Sequence, residues 1–456
     1  MLLPVVQKIN GFLADYILVF LLVAVGLFFT IKTGFVQRYL GQGLKSILGG
    51  LRLKGEKQES GMSSFQAVAT AIAAQVGTGN IVGASGAILA GGPGAIFWMW
   101  VIAFLGMATI YAEAVLAQHT RVKTENGEIL GGPVYYITHA FKGKFGKFLA
   151  GFFAIAITLA LGFFGCMVQS NSIGATIHTA FGIPTWVVGL ALVAVCALIF
   201  LGGVQRLASV TEKLVPIMAA VFLLGGVIVL CARIRYIPET FLMIFKYAFT
   251  PQAIIGGTFG AAIKSAISQG AKRGLFSNEA GMGSTPHAHA LANVKTPHEQ
   301  GAVAVASVFI DTFVVLTLNA MVIICTLYTA DGPLADCGAA AAQTVLNKTN
   351  LAQMAFGSVF GYPLGTAFVA VALFFFAFST ILGWNLFGKI NTNYLFGEKA
   401  KIPYMVLSLL FIFLGTVMSS DLVWELTDLM NYLMVLPNVI GLIGCAGLVV
   451  ALMKKK

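Results

Sequence analysis

The chain has 456 residues, of which 58% are hydrophobic and only 10% charged, and its mean hydropathy is +0.89. A soluble domain is about 25% charged, so composition excludes a soluble protein and points to a polytopic membrane protein with room for about ten to twelve helices of ~20 residues. The net charge of +11 would suggest a nucleic-acid partner in a soluble chain; here it follows from lysine and arginine in cytoplasmic loops, and no nucleic acid is expected.

The start of the chain has neither a basic stretch before its apolar run nor a small-residue cleavage site, so Asn10 to Ile31 is expected to remain as a first helix, with Asp15 near its start. A basic segment with Lys32, Arg38, Lys45, Arg52, Lys54 and Lys57 follows. A long apolar run, about 62–90, is then interrupted by Gln75-Val76-Gly77-Thr78-Gly79-Asn80. Unpaired backbone in hydrocarbon costs several kcal/mol, so an opened chain is tolerated there only where it lines a cavity. The interruption reads as a discontinuous helix, two half-helices meeting at an unwound joint turned to a ligand. A packing seam explains Gly79 and Gly83, four apart, but not Gln75, Thr78 and Asn80. A dinucleotide fingerprint fails, because the third glycine is one residue late and no β-α-β context surrounds it. Gly83-Ala84-Ser85-Gly86 resembles the nucleophile site of an intramembrane serine hydrolase, which is the alternative function, but no histidine falls near mid-span to serve as base.

Beyond a Gly91-Gly92-Pro93-Gly94 turn, Phe97-Trp98-Met99-Trp100 opens a third helix that ends near His119 and contains Glu113. Helices four (about 148–178), five (about 185–203) and six (about 214–231) follow, the last two joined through Arg206 and Lys213. A seventh apolar run begins near Ile254 and is broken at once by Gly256-Gly257-Thr258-Phe259-Gly260. The polar stretch Gln269 to Gln300 is expected on the cytoplasmic side, where Lys272 to Gly281 reads as an inner gate or as an ordinary solvated loop. Helix eight (about 301–328) contains Asp311, and a long external loop runs from Thr329 to Tyr362. Helices nine (about 363–388), ten (about 403–419) and eleven (about 425–452) complete the set. Five of the six cysteines lie in apolar runs and only Cys337 in a loop, without metal or disulfide spacing. His287 and His289 lack further metal ligands.

Of the 28 lysines and arginines, all but Lys8, Arg233, Arg235, Lys246 and Lys348 fall on the side of the Lys454-Lys455-Lys456 tail. That places the C-terminus in the cytoplasm and the N-terminus outside. The expected fold is all-α, with about 11 transmembrane helices: residues 1–61 as an extra helix and basic segment, then 62–231 and 232–456 as two five-helix blocks. Each block opens with a broken helix, and an odd number of spans inverts the second block. Such a pair is the sequence pointer to a transporter binding site.

The half-helix beginning near Thr78, Gly79 and Asn80 offers N–H groups and a positive dipole end to a carboxylate. The carbonyls of Ala73 and Val76 before the break are hard donors for a small cation. Ser379 and Thr380 either complete a cation shell or bond back to their own helix. Asp311 is costly in mid-membrane, ~2.5–3.5 kcal/mol, and must be paired, protonated, metal-bound or a structural partner for Thr312. Gln169 and Asn171 lie about 200° apart on helix four; Gln169, with Ile173, is the preferred face. Gly257, Thr258 and Phe259, at the second break, are expected to face the same ligand.

The run Gly91 to Trp100 through Gly106 resembles the signature of the alanine or glycine:cation symporters of bacteria and archaea. The Gln75–Asn80 joint, Ser277-Asn278-Glu279-Ala280-Gly281 and Phe309-Ile310-Asp311-Thr312 look like that family as well. The resemblance implies a leucine-transporter-like fold in the cell membrane. It also implies Na+- or H+-coupled uptake of small neutral amino acids, alanine and glycine, by alternating access, without enzymatic activity or cofactor. Val76 to Asn80 is similar to the first broken helix of the bacterial leucine transporter, and Thr258 to Ala261 to its counterpart in the second repeat. Ser379 and Thr380 match that fold's sodium site, completed by carbonyls of Ala73, Val76 and Phe376. Asp311 lies where a second sodium or a proton would bind. The tyrosine of the third core helix has no equivalent here, which leaves Gln169 in its place.

Overall fold

The computed structural model describes residues 2–52, 63–124, 129–250, 259–329, 332–335 and 346–454. Among them, nine helices are long and apolar enough to cross a membrane, and Thr185–Leu201 is a shorter apolar one. A two-residue antiparallel pair, Val122–Lys123 with Ile129–Leu130, is the only strand pairing among the described residues. Bulky apolar side chains stand exposed along the outer helices, among them Phe20, Leu201, Phe396 and Ile402, a surface that suits lipid rather than water.

Burial separates inner from outer helices. The most apolar window of Phe65–Gly91 is 100% buried, against 33% for Leu2–Lys32 and Gly203–Ala232 and 28% for Glu398–Val417. A helix covered on all sides needs no polar face. The interrupted run is therefore the centre of the bundle. Around it stand Ala95–Thr120, Lys144–Phe181, Pro297–Tyr328 and Tyr362–Phe396.

Several boundaries differ from those expected. The sixth helix starts at Gly203 rather than near 214, because the connection is a tight turn at Gly202 and the Arg206 guanidinium folds back onto the Leu198 carbonyl at 2.6 Å. The supposed loop after Arg235 contains an amphipathic helix, Ile237–Phe249, seated on the Gly92–Gly94 turn. Glycine is required at position 94, since a Cβ there would lie 2.2 Å from the Tyr247 carbonyl carbon. The basic segment after the first helix includes the helix Leu40–Arg52, and the long external loop includes Leu351–Phe360. The last span divides at Cys445 into Ser420–Gly444 and Ala446–Lys454.

The largest difference concerns the polar stretch that follows the expected second break. Residues 256–258 lie outside the described residues, as does Cys337, but Phe259–Asn278 is one continuous helix of 20 residues. It runs through what the sequence reading takes as a cytoplasmic polar stretch. After it the chain opens at 279–285 and resumes as Pro286–Leu291. A discontinuity therefore lies at 279–285, beyond the expected break.

Candidate functional site

The first half-helix, Ser64–Gln75, begins on a capping box in which the Ser63 hydroxyl accepts from the Gln66 N–H and the Gln66 side chain accepts from the Ser63 N–H. It stops at Val76, whose backbone is extended. The groups freed by the break are captured by side chains. Asn80 Oδ1 accepts the Gly77 N–H at 2.9 Å, and Gln169 Oε1 accepts the Thr78 N–H at 3.1 Å. The chain then resumes as a wide turn, Gly79–Gly83, whose spare carbonyls at Asn80 and Ile81 take the Asn319 amide. Three buried polar atoms at the joint have no hydrogen-bond partner: Gln75 Oε1, Thr78 Oγ1 and Gln169 Nε2. Buried polar groups are seldom left unmade, so these atoms mark where a polar ligand would sit.

Beside the joint, five oxygens converge. Thr380 Oγ1 lies 2.9 Å from the Ala73 carbonyl, 3.4 Å from that of Val76 and 3.0 Å from that of Phe376. Ser379 Oγ lies 2.8 Å from the Phe376 carbonyl and 3.5 Å from that of Ala73. Each hydroxyl bonds back to its own helix and each also reaches the break. The donor set is hard, neutral and fully buried, and it suits a small cation that must be released again. Among the described residues no group of three or more His, Cys, Asp or Glu could hold a metal ion.

The second joint meets the first at Gly79. A Cβ at that position would lie 2.8 Å from Ser277 Cα and 3.3 Å from the Phe276 ring, so glycine permits the backbones to touch. Gln75 Nε2 donates to the Asn278 carbonyl at 2.8 Å. The C-terminal end of Phe259–Asn278 therefore faces the N-terminal end of the half-helix 79–91, and opposite dipole ends adjoin one space. Phe276 stands edge-on to Trp384 and against Trp424.

Asp311 ties both joints to the Pro297–Tyr328 helix. Its carboxylate accepts from Asn80 Nδ2 at 2.6 Å, Ser277 Oγ at 2.9 Å and Thr312 Oγ1 at 2.9 Å. Every group on it is a donor, which suits a fixed anion; a second cation there would require those donors to turn away. Asp311→Asn puts an amide N–H₂ against one of them. It is expected to leave a folded protein whose half-saturating alanine concentration rises by about tenfold, the order of one unsatisfied buried donor. Uptake with unchanged alanine, sodium and pH dependence would contradict that role.

The site is closed on one side by an ion pair. The Arg273 guanidinium grips Asp428 through both nitrogens, at 2.7 and 3.2 Å, and lies over the Trp424 ring at 4.7 Å. Lys348 pairs with Asp421 at 2.9 Å just beyond. Arg273 packs beside Gly83 on the half-helix 79–91. Lys272 to Asn278 is helical and packed in the bundle rather than an ordinary solvated loop.

Of the residues expected at the site, the structure gathers Ala73, Val76, Thr78, Gly79, Asn80, Gln169, Asp311, Phe376, Ser379 and Thr380. Ile173 is buried one turn beyond Gln169, while Asn171 faces away and donates to the Gly415 and Met418 carbonyls. Gly257 and Thr258 lie outside the described residues. Phe259 is the first residue of a helix whose other end meets the joint, about 28 Å along it at 1.5 Å per residue. Ser85 donates to the Ile81 carbonyl within its own helix at 2.7 Å. Sequence reasoning missed Phe276, Ser277 and Trp384. Ser277-Asn278-Glu279 followed by Gly281 and Gly283 repeats the first joint's pattern of polar residues with alternating glycines, and that signal could have found them.

The chain matches the family profile described as "Sodium:alanine symporter family" over residues 1–455. It is 39% identical over 448 residues to the sodium/alanine symporter AgcS of Methanococcus maripaludis, covering 98% of this chain and 95% of that protein. It is 36% identical to the probable sodium/glutamine symporter GlnT of Bacillus subtilis, covering 95% and 86%. Among solved structures, MhsT in complex with L-phenylalanine superposes with a TM-score of 0.60 at 15% identity, covering 87% of this chain and 90% of that one. A manganese transporter of Eremococcus coleocola gives 0.54 at 14%, covering 86% and 85%. These likenesses establish a fold shared with leucine-transporter-like proteins.

Proposed function

The chain belongs to the sodium:alanine symporter family, and on that premise we propose that it couples inward Na+ movement to the uptake of alanine and glycine by alternating access. It is a multi-pass membrane protein and a cation-coupled amino-acid symporter, not an enzyme. The observation that carries the substrate reading is the joint itself, where the unpartnered Gln75 Oε1, Thr78 Oγ1 and Gln169 Nε2 lie beside five converging oxygens. Sodium occupies the oxygens of Ala73, Val76, Phe376, Ser379 and Thr380. The substrate carboxylate takes the N–H groups of Thr78 and Gly79, displacing Gln169 Oε1, and the ammonium faces the carbonyl end of Phe259–Asn278. In this reading residues 1–61 are an addition to two inverted five-helix repeats, 62–231 and 232–456, with the N-terminus outside and the C-terminus in the cytoplasm. The second repeat's break is the stretch 279–285.

Pocket size sets the choice of amino acid. Phe276 packs on Gly79 and lies edge to face with Trp384; in this reading those two rings, with Gln169 and Ile173, bound the substrate's side chain. A hydrophobic pocket separates neighbours differing by one methylene by only ~1–3 kcal/mol, so rejection of larger substrates must be steric. Sodium-dependent uptake of labelled alanine into proteoliposomes tests the proposal. Glycine should compete, and leucine, phenylalanine and glutamine should not compete measurably. Glutamine competing as well as alanine would remove the small-substrate reading; uptake indifferent to sodium would remove the coupling ion.

A further inference from the structure

We propose that Glu113 is a positioning residue of the transport site, its carboxylate holding the second joint in the open backbone form that faces the substrate. The inference rests on the alanine reading above. Glu113 lies in the Ala95–Thr120 helix and is fully buried. One of its oxygens accepts the Gly283 N–H at 2.9 Å and Asn438 Nδ2 at 2.6 Å; the other accepts the Gly281 N–H at 3.3 Å. All three partners donate and none accepts. Asn438 is fixed in turn, since its amide also donates to the Gly281 carbonyl at 2.9 Å and its oxygen accepts from the Tyr136 hydroxyl.

The backbone that Glu113 grips is unusual. Within five residues, Glu279, Gly281 and Gly283 have φ of 58°, 93° and 78°. A non-glycine residue in this left-handed region persists only where its surroundings over-determine it. Glu279 is pinned from its own side by the Trp384 indole N–H and the Ser284 hydroxyl. From the other side the segment is held by Glu113 and Asn438, and a Cβ at Gly283 would lie 2.9 Å from Asn438 Cγ. Successive N–H groups turned inward form a nest for an anion, and here the chain supplies that anion itself. The segment leads directly back to Ser277 and Phe276 at Gly79. The five cation oxygens sit instead on Ser64–Gln75, Val76 and the Tyr362–Phe396 helix, and none of them is hydrogen-bonded to Glu113 or Asn438.

That separation sets the test. Glu113→Gln offers an amide in place of the carboxylate, so one of the three donors meets another donor. In proteoliposomes its half-saturating alanine concentration should rise about tenfold or more, with a smaller change in maximal rate. Sodium binding followed by tryptophan fluorescence without amino acid should stay at the wild-type value, and Glu113→Asp should recover part of the alanine affinity. Asn438→Ala removes one donor from Glu113 and one from the Gly281 carbonyl. It should move alanine affinity the same way by a smaller factor, and it decides the matter alone if Glu113→Gln does not fold. Wild-type alanine dependence in Glu113→Gln would overturn the proposal, as would sodium binding that falls by the same factor as alanine binding. Alanine uptake by the wild type in the same vesicles separately tests the reading on which this rests.

Discussion

Replacing both Ser379 and Thr380 by alanine is expected to raise the sodium concentration for half-maximal alanine uptake by well over tenfold. The two hydroxyls supply two of the five oxygens that converge beside the first joint, and the Ala73, Val76 and Phe376 carbonyls remain. Each hydroxyl lost as a neutral polar partner is worth ~1 kcal/mol, more when the partner is charged. Since 1.4 kcal/mol is tenfold in affinity, the pair corresponds to roughly 30- to 100-fold. Both residues back-bond to Phe376 within their own helix, so the fold should survive, and helical content measured by circular dichroism checks that. Alanine affinity at saturating sodium should change little. A double variant with the wild-type sodium dependence would mean that the two hydroxyls only serve their own helix.

Gly77→Ala should cost more, because it damages both halves of the site at once. A methyl group at this position would lie 2.3 Å from Thr380 Oγ1 and 3.2 Å from Gln169 Oε1. Neither neighbour can yield freely. Thr380 is β-branched on a helix, where its χ1 is restricted, and Gln169 holds the Thr78 N–H. Overpacking of this kind costs about 1–3 kcal/mol in an ordinary core; here the displaced atoms are the proposed cation and substrate contacts themselves. Sodium and alanine affinities are expected to fall together by about a hundredfold. Gly86→Ala is the control on the same half-helix, since its methyl group meets Lys348 Cβ at an ordinary 3.6 Å and should leave uptake near the wild-type level. Equal effects of the two substitutions would show that glycine at 77 serves helix packing alone.

The ion pair and the joints also show how charge is kept inside this protein. Asp428 is matched by Arg273, while Asp311, Glu113 and Glu279 have neutral donors only. A buried carboxylate without a cation is tolerated when its lone pairs are taken up by hydrogen bonds. All three lie at or beside the second joint, where Glu113 takes the backbone N–H groups of Gly281 and Gly283 and the other two take side-chain donors.

Much of this was legible in the residues themselves. Apolar runs of membrane length reveal spans because every backbone group in lipid must be bonded within the helix. The Gln75–Asn80 joint is legible for the same reason, since glycine and polar side chains at that depth are affordable only around an opening. Ser379, Thr380, Asp311 and Gln169 stood out as polar groups in apolar runs. The opening at 279–285 was not legible, because the charges of Lys272, Arg273 and Glu279 make it resemble a solvated loop. Composition cannot tell a charge that faces water from one whose partner stands on a distant helix. Arg273 finds Asp428, 155 residues away, and Glu113 finds Gly283, 170 residues away. Those pairings exist only once the helices are packed. Local sequence thus determined which segments span and where the first one opens; the tertiary structure alone decided which buried charges are compensated, and so where the second joint lies.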